Sequence, residues 1–221
     1  GQAGLEASKV ESIWRREVQD RIQKARVLVL GVPSDSGAGI RRGAAYGPRA
    51  VRHALLETAE YRSAISSARV LDLGDVLVNP QLLHDSMLSS RQIEACRREM
   101  YAALPASKRR LPVSPLSQAR WVLAQAFKLN PAARVFALGG DHSVAWPVTE
   151  ALHARHGRKL GIVQPDAHTD LLSSRLGTKY CFGTWSFHAN ELLRKDRPAV
   201  KAGSRFVQLG IRQTGRDRGH W

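Results

Sequence analysis

The sequence predicts an α/β fold in three layers, in which a mainly parallel β-sheet lies between two layers of helices. Short apolar runs of the kind that form buried strands alternate with longer segments of helical periodicity, and reactive polar residues directly follow two of the runs. With 221 residues and 43% hydrophobic content, the chain is long enough for one well-packed domain spanning residues 1–221.

The individual elements follow from these patterns in chain order. Strands are predicted at residues 26–32, 69–73, 134–138, around Ile162 and Val163, and at 205–212. Helices are predicted at residues 5–24, after Pro48, and at 91–104, 115–129 and 144–156. The segment 34–46 is rich in glycine but matches no nucleotide-binding fingerprint, so no nucleotide is assigned to it and a plain strand-to-helix connection is one interpretation.

The cysteine content, the apolar runs and the net charge indicate where the protein is located and which partners it binds. Cys96 and Cys181 lack metal-site spacing, which predicts reduced thiols and a cytoplasmic protein. No apolar run reaches the roughly twenty residues of a membrane span. The net charge of +15 is dispersed and comes with no aromatic platform or groove-reading motif, so we predict neither a nucleic-acid nor a membrane partner.

The first candidate site is the stretch GIVQPDAHTD, at residues 161–170. An apolar strand buried on both faces is predicted to stop at Pro165, after which Asp166, His168 and Asp170 follow at every second position. In an extended backbone these three side chains leave on the same side. Two carboxylates and an imidazole suit a divalent ion such as manganese, zinc or iron, although polar loops also use these residues in turns and caps.

A second strand ends in the same way, at Gly139-Gly140-Asp141-His142-Ser143. In parallel sheets ligands bind beyond the carboxyl ends of the strands, so both motifs are expected to face one pocket. The glycines permit a close backbone approach, while Asp141 and Ser143 can bond free amides at the start of the next helix. The sequence therefore predicts one metal site formed by two strand ends.

These motifs together resemble those of the arginase/agmatinase (ureohydrolase) family. The GGDHS and DAHTD motifs occur in the family's order, and both the segment 31–52 and the run Asp72-Leu73-Gly74-Asp75 match further family segments. The resemblance implies an arginase-like fold, a homo-oligomer and two Mn²⁺ ions. It implies that His142 and Asp170 bind one ion, that His168 binds the other, and that Asp166 bridges them.

The activity that this resemblance implies is hydrolysis of a guanidino compound to urea and an amine, with Asp170 passing a proton to the departing nitrogen. Two departures bear on this expectation. The family's third metal motif, Asp-x-Asp-x-x-Asp-Pro, is absent, so we expect a C-terminally incomplete chain, with a naturally short protein as the alternative. A site with only four ligands is expected to hold metal weakly. Phe182 stands in the place of a family histidine, for which His188 is a candidate catalytic substitute.

Two alternatives stay open at this point. One is a formimidoylglutamase-type hydrolase on the same fold, which the Phe182 replacement favours. The other is a catalytically inactive ureohydrolase-fold subunit or basic binding protein, which the missing ligands and the positive charge favour. The substrate, a guanidino or a formimino compound, is not decided by the sequence.

Overall fold

The computed structural model describes residues 7–106, 109–195 and 205–213. Its strands are β1 (Val27–Val32), β2 (Val70–Asp75), β3 (Arg134–Gly139), β4 (Ile162–Pro165) and β5 (Phe206–Leu209). Its helices are α1 (Ala7–Arg21), α2 (Gly47–Glu57), α3 (Ala59–Ser66), α4 (Ser90–Met100), α5 (Pro115–Leu129), α6 (Ala145–His156) and α7 (Trp185–Lys195). Within these residues, no helix has the length and apolar character needed to cross a membrane.

The strands form two parallel sheets rather than one continuous sheet. The first has the order β2-β1-β3, and the second pairs β4 with β5. In the described part of the chain, β3 and β4 are not paired by backbone hydrogen bonds. A cavity of about 650 Å³ lies between these two strands and is lined by residues of both. We call it the inter-sheet cavity. The predicted parallel α/β architecture is confirmed, with the strands divided between two sheets.

Burial separates the central strand from the others. β1 is buried almost throughout, as predicted. In β4, by contrast, Val163 is 63% exposed while Gln164 is buried, and in β5 Val207 and Leu209 are about half exposed. The prediction that β4 is buried on both faces is wrong, because only its face carrying Ile162 packs against the core. β5 likewise packs through the face that carries Phe206.

The core forms where β1 meets helix α5. Leu28, Leu30 and Val32 of β1 belong to the same buried cluster as Leu116 and Leu123 of α5. Helix α5 begins and ends at its predicted residues, since Pro115 lies in its first turn and its apolar positions recur at helical spacing. This packing fixes β1 and β3, and therefore the place where β3 delivers its polar residues.

Two helices were not predicted. Helix α3 follows the single helix predicted after Pro48 and begins after Thr58, whose hydroxyl accepts a hydrogen bond from the Tyr61 amide. Helix α7 begins at Trp185, in a segment where the sequence analysis places no helix. Its buried residues Trp185, Ser186, Ala189 and Leu193 show helical spacing, which only its contact with the second sheet makes evident.

The acidic run 72–75 has a structural role. The guanidinium of Arg52, on α2, donates to both carboxylate oxygens of Asp72, at 2.7 and 3.0 Å, and also binds Asp75. Burial lowers the pKa of Arg52, but these hydrogen bonds outweigh it and raise the pKa above its usual value. The ion pairs therefore tie α2 to the end of β2.

Candidate metal centre

His142 is held at the end of β3 by contacts of the residues beside it. Asp141 is buried, and its carboxylate accepts hydrogen bonds from the amides of Ser143, at 2.8 Å, and Gly37, at 3.0 Å. Burial raises the pKa of Asp141. A Cβ on Gly140 would lie 1.8 Å from the carbonyl oxygen of Ser34, so only glycine lets these two loops touch.

The second group of side chains follows β4. Pairing continues past Pro165, because the amide of Asp166 donates to the carbonyl of Leu209 at 2.9 Å. Beyond this point the backbone turns, and Asp170 adopts a left-handed conformation with φ of 50°. The extended backbone on which the same-side argument depends therefore does not continue to Asp170, and the turn, not strand alternation, aims the Asp170 carboxylate.

Three of the four predicted metal ligands meet at one point. His142 Nδ1 lies 3.0 Å from Asp166 Oδ2 and 2.9 Å from Asp170 Oδ2. One ligand atom from each of the three residues lies within 4.8 Å of the other two. An imidazole and two carboxylates that converge in this way could hold one divalent ion.

His168 lies beside this group and is more exposed. Its Nδ1 is 3.5 Å from Asp166 Oδ1, and its Nε2 is 2.9 Å from Gln213 Oε1. The two oxygens of Asp166 therefore face different histidines, His142 and His168. This arrangement suits a carboxylate shared between two ligand sets.

Asp166 stays ionised more readily than an ordinary aspartate. Burial alone would raise its pKa, but hydrogen bonds from the His168 amide and the Gln164 side chain, both at 2.9 Å, favour the charged form. The neighbouring His142 and His168 act in the same direction, and the net result is a lowered pKa. A negative charge is therefore maintained where a cation would bind.

Helix α7 supplies a supporting residue that the sequence did not reveal. Trp185 Nε1 donates to Asp170 Oδ2 at 3.1 Å, and its ring centroid lies 4.9 Å from that of His142. A tryptophan that follows a metal-type motif in the sequence does not by itself indicate a role in the site. Its function depends on the fold bringing the start of α7 under both strand ends.

Gln164 links the second sheet to the site. It points inward from β4, where its Oε1 accepts hydrogen bonds from Ser186 and Gln208, both at 2.8 Å. Its Nε2 then donates to Asp166 Oδ2. The side chains of α7, β4 and β5 thus fix the orientation of one carboxylate.

His188 is not among the groups that converge on the carboxylates. Its Nε2 lies 2.9 Å from the Lys179 carbonyl oxygen, and its ring packs against those of Trp146 and Tyr180 at 5.6 and 4.9 Å. Burial lowers its pKa. These contacts place His188 among aromatic rings and away from the two carboxylates, and its catalytic role stays a prediction from sequence.

The glycine-rich segment after β1 forms part of the wall of the site. The Gly37 carbonyl accepts from the amide of Phe182 at 3.0 Å, while its own amide donates to Asp141. Phe182 therefore joins the loop after β4 to the loop after β1. The segment is more than a plain connection, because it contacts both the motif after β3 and the loop that follows β4.

The fold and this site define a parallel α/β protein in which side chains that could hold a metal ion lie beyond the carboxyl ends of the strands. Comparison with known proteins supports this fold class. The family model described as "Arginase family" matches residues 25–221. Mitochondrial agmatinase from Gallus gallus is 31% identical over 208 residues, covering 91% of this chain and 49% of that protein.

Mitochondrial guanidino acid hydrolase from Homo sapiens is also 31% identical, covering 91% of this chain and 48% of that protein. Among solved structures, agmatine ureohydrolase of Thermoplasma volcanium superposes with a TM-score of 0.59 over 97% of this chain and 62% of that one, at 22% identity, which bears on the fold alone. The chain belongs to the arginase family. It spans about half the length of the two relatives named above.

Proposed function

We propose that this chain forms the metal-binding part of a hydrolase that cleaves a C–N bond of a guanidino compound, giving urea and an amine. The observation that carries the proposal is the convergence of His142, Asp166 and Asp170 at the ends of β3 and β4. The similarity to proteins named agmatinase and guanidino acid hydrolase supports the same reaction.

The side chains fit a pair of manganese ions. His142 and Asp170 would hold one ion, His168 the other, and Asp166, whose two oxygens face the two histidines, would bridge them. Imidazole and carboxylate are ligands that Mn²⁺ accepts, and neither motif contains a thiolate. Such a pair lowers the pKa of a shared water towards neutrality and so supplies a nucleophile at physiological pH.

The protein's own groups would bind the substrate and move the proton. Asp166, with its lowered pKa, and Asp170 place negative charge where a cationic guanidinium must approach. Asp170 is the proposed proton carrier, accepting a proton as the planar carbon is attacked and passing it to the departing nitrogen. The hydrogen bond from Trp185 holds the Asp170 carboxylate in place for this transfer.

Manganese binding tests the ligand assignment directly. We expect calorimetric titration of the metal-free chain with Mn²⁺ to show binding that is lost in His142→Ala and Asp166→Asn. The matched controls are His53→Ala and Asp20→Asn, which alter exposed residues on α2 and α1 and should bind as the unmodified chain does. Equal binding by His142→Ala would contradict the assignment.

Product analysis tests the reaction. Urea should be released in the presence of Mn²⁺ from at least one of agmatine, 3-guanidinopropionate and 4-guanidinobutyrate. Formamide released from formiminoglutamate, with no urea from the other compounds, would point instead to the formimidoylglutamase-type alternative. Neither product, together with no bound manganese, would refute the proposed function.

A further inference from the structure

A second cavity lies between the loops that follow β1 and β4. Its volume is about 380 Å³, and we call it the loop cavity. Its walls come from residues 36–40 on one side and from residues between Arg175 and Phe182 on the other. The two sides are joined by the hydrogen bond from the Phe182 amide to the Gly37 carbonyl.

The loop cavity adjoins the candidate metal centre. Gly37 lines the loop cavity, and its amide donates to Asp141, which lines the inter-sheet cavity together with His142. Phe182 stands three residues before Trp185, which contacts both His142 and Asp170. A substrate whose reacting end lies at the carboxylates can therefore extend its other end towards the loop cavity.

Arg175 gives this cavity its charge. It is the one charged side chain among the described residues that line the cavity. Its guanidinium carbon lies 4.9 Å from the ring centroid of Phe182, a stacking arrangement that orients the planar group and leaves its N–H donors free to turn outward. Asp35, in the facing loop, is paired with Arg42 at 3.1 Å and also accepts from the Gly43 amide.

The backbone that carries Arg175 is a tight turn. Arg175 and Thr178 exchange backbone hydrogen bonds of 3.0 and 2.8 Å around Leu176 and Gly177, which both have positive φ. Leu176 adopts this left-handed conformation while 97% exposed, although the conformation is unfavourable for a residue with a Cβ. The turn thus holds the base of Arg175 in one place at the rim of the cavity.

We infer that the loop cavity is the subsite for the far end of the substrate, and that Arg175 selects a carboxylate there. This inference rests on the proposed function and adds to it the substrate class, an ω-guanidino acid. A carboxylate tail can accept paired hydrogen bonds from the Arg175 guanidinium. The ammonium tail of agmatine would instead meet a like charge, which disfavours it.

Three ligands of similar length but different tail charge test this inference. They are 4-guanidinobutyrate, 4-guanidinobutanol and agmatine, with an anionic, a neutral and a cationic end. Their binding to the manganese-loaded chain is measured by calorimetry, and urea release is measured in parallel. We expect the anion to bind about five- to fiftyfold more tightly than the neutral compound, as one charge-assisted contact at a partly open site allows.

The variants assign that preference to one side chain. Arg175→Gln should remove the preference for the anion and leave binding of the neutral compound within about twofold, since this variant loses only the contact to the tail. Arg175→Lys should keep part of the preference, because it retains the charge but not the paired donors. Arg15→Gln, which removes one positive charge from the exposed surface of α1, is the matched control and should keep the full preference.

The outcomes separate the two proposals. If none of the three compounds binds or yields urea, the proposed function is overturned. If all three bind alike, or if Arg175→Gln keeps the preference for the anion, the inference is overturned while the proposed function stands. Tighter binding of agmatine than of 4-guanidinobutyrate would likewise overturn it.

Discussion

Replacing Trp185 by phenylalanine isolates one hydrogen bond at the candidate metal centre. The ring that packs against His142 is largely kept, while the Nε1 donor 3.1 Å from Asp170 Oδ2 is lost. A hydrogen bond to a charged group contributes about 1.5–3 kcal/mol. Since about 1.4 kcal/mol corresponds to a factor of ten, Mn²⁺ should bind roughly tenfold to a hundredfold more weakly in Trp185→Phe.

The chain offers a closely matched control in Trp146. It is also a buried tryptophan, 7% exposed, but its Nε1 has no hydrogen-bond partner in the described structure. Trp146→Phe therefore removes the same atoms without breaking a hydrogen bond, and it relieves an unpaired buried donor. Its manganese affinity should match that of the unmodified chain.

Two measurements decide the comparison. Calorimetric titration with Mn²⁺ reports metal affinity, and urea unfolding of the metal-free chain reports the free energy of unfolding. Trp185→Phe should unfold about 1–2 kcal/mol more easily than Trp146→Phe, because both lose a similar volume but only Trp185→Phe loses a hydrogen bond. Equal metal affinity and equal stability of the two variants would refute the view that Trp185 positions Asp170.

Three further predictions concern the backbone and the pH dependence of stability. Gly140→Ala should lower the free energy of unfolding by about 2–4 kcal/mol, because its Cβ would lie 1.8 Å from the Ser34 carbonyl oxygen. Gly161→Ala is the control, because its Cβ would make only ordinary contacts, and it should lower the free energy of unfolding by less in the same urea titration. Leu176→Asn should raise the thermal midpoint by easing the left-handed turn, and a lowered midpoint would contradict the argued strain. Burial lowers the pKa of His84 from 6.5 to about 4. The folded protein therefore keeps His84 neutral while the unfolded chain binds a proton below pH 6.5. The free energy of unfolding should fall by up to about 3 kcal/mol as the pH is lowered from 6.5 towards 4. Unfolding measured between pH 7.5 and 4 should show a shallower loss in His84→Asn.

Several features of the site could be predicted from sequence because they depend on neighbours along the chain. An apolar run that ends in Gly139-Gly140-Asp141-His142 indicates a strand end with a close turn, whatever surrounds it. The same holds for the motif after β4. Because ligands bind beyond the carboxyl ends of parallel strands, both motifs could be expected to face one pocket. The distances of about 3 Å between His142 and the two aspartates agree with this expectation.

Other features could not be predicted because contacts between distant segments decide them. The partition of the strands into two sheets leaves faces of β4 and β5 uncovered, so Val163 is exposed although its neighbours suggested a buried strand. Trp185 and Gln164 support the site only because α7 packs beneath the strand ends. The sequence offers His188 as a candidate substitute for the histidine that Phe182 replaces, but it could not show that the rings of Trp146 and Tyr180 pack around it.

The sequence by itself determined the order of the five strands and of five of the seven described helices, and the residue types at two strand ends, since periodicity and turn chemistry act over a few residues. The tertiary structure alone decided which of those residues meet. The left-handed turn at Asp170 brings its carboxylate to His142. The loop that carries Arg175 and the loop after β1 together line a cavity that no local sequence pattern predicts. Side chains far apart in sequence converge because parallel strands end at one edge of a fold, and packing then fixes their distances.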